Sequence, residues 1–66
     1  MYVLEKKPGV FVAYRDVVDK KFNTLEELID FCIENKLFNA EVDKEKLKTE
    51  IDVDWYLTNL VTKKVD

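Results

Sequence analysis

The chain has 66 residues and a mass of 7.8 kDa, with 47% hydrophobic and 38% charged residues. It contains one cysteine, one glycine and one proline, and no histidine, serine or glutamine. That inventory describes a small globular domain and removes most chemistries before any motif is sought. Domains of this size bury only roughly 60% of the surface their unfolded chain exposes. They usually need a disulfide, a metal or a partner to complete them. A lone Cys32 cannot form an intramolecular disulfide, and without histidine the common thiolate–imidazole zinc site cannot assemble. The core must therefore be apolar, completed where necessary by another protein or a second copy.

Residues 1–22 carry charges throughout and lack the apolar centre of a signal peptide. No apolar run is long enough to span a bilayer. Neither a membrane nor a cofactor is expected, and the free thiol points to the reducing cytoplasm. Net charge is −3, which gives no support to direct nucleic-acid binding. Charge is uneven along the chain: residues 1–23 sum to +2, 24–40 to −3, 41–54 to −3 and 55–66 to +1.

The elements follow in chain order. Residues 2–7 and 10–17, joined by Pro8-Gly9, read as a β-hairpin, because Pro presets φ and Gly supplies positive φ. Val10, Phe11, Val12 and Tyr14 have strand propensity. With this loop, Tyr2 opposes Arg15 and Leu4 opposes Ala13 on one face, while Val3 opposes Tyr14 and Glu5 opposes Val12 on the other. Both faces are apolar enough that something is expected to cover the second.

Thr24-Leu-Glu-Glu27 matches the capping box that opens a helix. Leu25, Leu28, Ile29, Cys32 and Ile33 follow at helical spacing, which predicts a helix over 25–36 with Asn35 and Asn39 at its exit. Asp43 caps a short helix over 43–48. From residue 49 two periods compete. Ile51, Val53, Trp55 and Leu57 alternate as in a strand, while Val53, Tyr56, Leu57, Leu60 and Val61 form a helical stripe. A helix over 53–63 is preferred, since it also accounts for the acids at its start and Lys63-Lys64 at its end. The expected fold is α+β. An N-terminal hairpin packs on a central helix, followed by one or two C-terminal helices, with a third strand as the alternative for the C-terminal segment.

Without serine or histidine no hydrolytic triad can form, and a single glycine excludes phosphate-binding loops. Cys32 lies on the apolar helix stripe with acids around it, so it reads as a buried hydrophobe and not as a nucleophile. Glu41, Asp43, Glu45, Glu50, Asp52 and Asp54 form an acidic run. A calcium loop would need a turn glycine that is absent. A solvated, helix-capping role is preferred to a docking patch for a basic partner. A helix-turn-helix is disfavoured because Asp52 and Asp54 would lead into the phosphates. Trp55 reads as core before interface, tryptophan being nonetheless common at binding hot spots.

The sequence thus points to a non-enzymatic protein–protein interaction module, of the type of the small accessory proteins of bacteria or their phages. Its candidate surface is Val3, Val10, Val12 and Tyr14 with Trp55 as anchor, serving another protein or a homodimer. The alternative is an acidic decoy that occupies the basic surface of a nucleic-acid-binding protein.

Overall fold

Tyr2–Lys6 forms strand β1, and Lys7-Pro8-Gly9-Val10 turns the chain behind it. Gly9 takes φ +78°, and the Val10 N–H donates to the Lys7 carbonyl at 3.4 Å, so the turn has the expected Pro-Gly chemistry. A computed structural model describes residues 1–11 and 18–65. Most of the hairpin's expected second strand, including Val12 and Tyr14, therefore lies outside the described residues.

β1 is the middle of a three-stranded antiparallel sheet ordered β2-β1-β3, where β2 is Lys21–Phe22 and β3 is Leu60–Lys64. Tyr2 and Val3 pair with Phe22 and Lys21 on one side and with Lys64 and Lys63 on the other. Both edges of these residues are taken, which corrects the expected pairings of Tyr2 with Arg15 and Val3 with Tyr14. The N-terminal antiparallel hairpin stands, with β2 as its returning strand.

The central helix α1 runs Leu25–Glu34. The Thr24 hydroxyl accepts the Glu27 N–H at 3.1 Å, and the Glu27 carboxylate accepts the N–H of Asn23 at 3.1 Å. The helix ends two residues before the expected 36. Leu37 N–H donates to Cys32 O at 2.9 Å and Lys36 N–H to Ile33 O at 3.2 Å, a Schellman closure. Lys36 occupies its left-handed position at φ +56°, where glycine is usual. Leu28, Ile29 and Cys32 are buried as the periodicity requires, but Ile33 stays exposed. Phe31 instead packs on Phe22, with ring centroids 5.1 Å apart and Lys20 Nζ 5.2 Å from the Phe31 centroid.

Asp43 caps a single 3-10 turn, Lys44–Lys46, accepting the Glu45 N–H at 3.1 Å. Lys44 reaches back to α1, its Nζ 3.0 Å from Asp30 and 3.9 Å from Glu26.

The C-terminal third differs most from expectation. Helix α2 is only Glu50–Asp54, opened by a Thr49–Asp52 capping box, and β3 follows a turn through Leu57. A helix over 53–63 does not form; the third-strand alternative holds. The reason is nonlocal. Residues 60–64 complete the open edge of β1, burying Leu60 and Thr62 on the inner face of the sheet. Leu4, Phe22, Leu28, Ile29, Cys32, Leu47, Val53, Leu57 and Leu60 make one core between the sheet and the helices. Among the described residues no helix is long and apolar enough to cross a membrane.

Candidate protein-interaction site

Trp55 caps the C-terminal end of α2, and its N–H donates to the Ile51 carbonyl at 3.3 Å. Four residues apart, the two side chains stand together on one helix face. That face points away from the core: Trp55 is 78% exposed and Ile51 65%. The expectation of a core Trp55 is thereby overturned. Val53 and Leu57 fill the interior from this segment, and Tyr56 packs edge-on against Phe38 at 6.2 Å. A five-residue helix has one inward stripe, and Val53 already occupies it. Lys7, Ile51, Asp54, Trp55 and Leu57 line a shallow groove of about 410 Å³.

Comparison with protein-family models, with curated proteins and with solved structures finds no match.

The remaining candidate residues fall in different environments. Val3 lies half-buried on the outer face of the sheet, whereas Val10 packs against the core. Val12 and Tyr14 lie outside the described residues. Val61, expected on a helix stripe, instead shares the outer face with Val3 and Glu5.

The acidic run is dispersed into local roles. Asp43 caps the 3-10 turn; Asp52 accepts the N–H groups of Lys48 at 2.9 Å and Thr49 at 3.1 Å. Asp54 is half-buried and accepts the Thr62 N–H at 2.7 Å. Burial holds the Asp54 carboxyl above the usual carboxylate range; the Thr62 N–H and the Lys7 cation pull it back, and Glu50 adds to the rise. The buried Thr62 Oγ1 has no hydrogen-bond partner among the described residues. Glu41, Glu45 and Glu50 accept no side-chain hydrogen bond among the described residues. No cluster of three metal-ligating side chains occurs among them either.

Cys32 is fully buried, and desolvation, assisted by Asp54, pushes its thiol up to about 12. It lines the inner wall of a groove of about 640 Å³ between the end of α1 and residues 38–42, where Glu41 is the one carboxylate among the described residues. A thiol so far from ionisation is a packing group.

Proposed function

We propose that this chain is a small non-enzymatic protein–protein interaction module, a cytoplasmic accessory protein with Trp55 as the anchor of its binding surface. The observation that carries this reading is the exposed Ile51–Trp55 pair. An indole and a sec-butyl group side by side in water expose apolar area that a partner would desolvate. Tryptophan on a rigid element loses little conformational freedom on binding, which is why it concentrates binding energy. The residue inventory favours a non-catalytic reading, since neither histidine nor serine is present and the one thiol, Cys32, is buried.

The acidic-decoy reading has the weaker support. Asp43, Asp52 and Asp54 each spend a carboxylate oxygen on a backbone N–H, which leaves only Glu41, Glu45 and Glu50 of the run without such a bond among the described residues.

A photo-crosslinking amino acid at position 55, introduced in producing cells, tests the module directly. Protein adducts at position 55, absent when the crosslinker replaces exposed Lys46, are expected. If position 55 yields no more adduct than position 46, Trp55 anchors nothing and the proposal falls.

A further inference from the structure

Folding sorts the charges by layer. The described part of the sheet side, residues 1–11, 18–23 and 55–65, carries six lysines against Glu5 and Asp19. The helical side, residues 24–54, carries ten acids against four lysines. The chain segments that were mildly basic at both ends are brought together by β1–β3 pairing, and the acidic middle is laid over them.

The outer face of the sheet has a defined pattern. Val3 is the direct partner of Lys21 on one side and Lys63 on the other, and direct partners share a face. Two strand spacings separate the two lysines, about 9–10 Å. The Val65 N–H donates to Met1 O at 2.8 Å, which places those two on the next row of the same face. Met1 is 50% exposed and Val65 38%. The face is therefore an apolar strip of Met1, Val3, Val61 and Val65 in which Lys21 and Lys63 flank Val3 and Glu5 stands beside Val61, so that cations exceed acids among the described residues.

The Ile51–Trp55 surface has the opposite balance: an apolar pair with Glu50, Asp52 and Asp54 around it, against Lys7 in the same groove. We infer that the outer sheet face of one copy docks on the Ile51–Trp55 surface of a second copy, head to tail. This rests on the interaction-module reading and names its partner. Sheet against sheet would oppose Lys21 and Lys63 to their own counterparts, and helix layer against helix layer would oppose acids. Only the mixed arrangement pairs opposite charge. Because the two surfaces differ, assembly continues beyond a dimer unless its rotation closes a ring.

Sedimentation of the full chain across a concentration series, at about 0.01 M and about 1 M salt, reads this out, since screening shortens from roughly 30 Å to roughly 3 Å. At low salt the average mass should rise with concentration while emission from the single tryptophan shifts to the blue. High salt should weaken association about tenfold or more. The folded Lys21→Glu/Lys63→Glu and Trp55→Ala variants should both stay monomeric. Glu50→Lys mixed with the double-glutamate variant should restore association. A chain that stays at 7.8 kDa throughout the series overturns the inference. So does an assembly indifferent to salt or to the Lys21/Lys63 reversal. A monomer that still crosslinks another protein through position 55 overturns self-docking alone and leaves the module reading intact.

Discussion

The carboxylate of Asp54, at the end of α2, accepts the backbone N–H of Thr62, in the middle of β3, at 2.7 Å. Thr62 opposes Leu4, whose own N–H and carbonyl bond Lys20 and Asp19 on the other side of β1. Leu4–Thr62 is thus a non-hydrogen-bonded pair, and the Thr62 N–H points away from the sheet. Asp54 closes that outward donor and so blunts the edge of β3 against adventitious strand pairing.

Removing the acceptor strands a part-buried N–H. Asp54→Ala should cost about 1–3 kcal/mol in urea unfolding at neutral pH. Asp54→Asn keeps a carbonyl oxygen and sheds a charge that burial disfavours, so it should cost much less. The pH dependence has a definite sign. Asp54 titrates higher folded than unfolded, so its contribution is full below the unfolded pKa and is lost as pH rises through the folded one. Wild type should therefore gain on Asp54→Asn as pH falls through the carboxylate range.

Thr62 also carries a buried hydroxyl with no hydrogen-bond partner among the described residues. Thr62→Val keeps the shape and the N–H bond to Asp54 while removing a desolvated polar atom. The urea midpoint should rise by an amount equivalent to about 1 kcal/mol. A fall would mean that the hydroxyl has a bonding role.

Lys36 holds a left-handed conformation at the close of α1. That position costs an L-residue roughly 1–2 kcal/mol, less the entropy a glycine adds to the unfolded chain. Lys36→Gly should raise thermal stability by about 0.5–1 kcal/mol, with helix content unchanged by circular dichroism.

Cys32 supplies an alkaline signature. Its thiol is raised from 9.0 to about 12 in the fold. Stability should be full below pH 9 and decline toward pH 12 by up to about 1.4 kcal/mol per pH unit, a slope that Cys32→Ala lacks. Thiol reagents at pH 8 should label the native chain only as fast as it opens. Rapid labelling without denaturant would show that Cys32 is not a core group.

Leu28 and Trp55 should separate folding from binding. Leu28 is fully buried, and Leu28→Ala should cost about 2–5 kcal/mol. Trp55→Ala removes a larger side chain yet should change stability by no more than about 0.5 kcal/mol, because water already surrounds it. Equal costs would return Trp55 to the core.

What the sequence settles by itself is local. Thr24 and Glu27 lie within one turn, so their reciprocal capping, the buried Leu28–Ile29–Cys32 stripe and the Asp43 cap were all legible in the chain. So was the positive φ of Gly9. Residues 49–64 carried two periods at once, and neither could be chosen locally. Ile51 and Trp55 alternate with Val53 as in a strand, yet sit on a short helix because Thr49 and Asp52 cap it. Leu60 and Val61 follow helical spacing, yet lie in a strand because the edge of β1 needed a partner some 55 residues away in sequence.

The same distance hid the candidate site. Trp55 looked like core because a short chain has few large apolar groups to spare; its exposure follows from Val53 and Leu57 reaching the interior first. Composition fixed the missing chemistry outright, since a side chain the sequence lacks cannot be restored by folding. Whether the 47% apolar fraction was all interior could be decided only by tertiary pairing. Pairing of β1 with β2 and β3 turned Val3 and Val61 to the outer face, with Val3 between Lys21 and Lys63 and Val61 beside Glu5. The turn at the end of α2 left Ile51 and Trp55 in water.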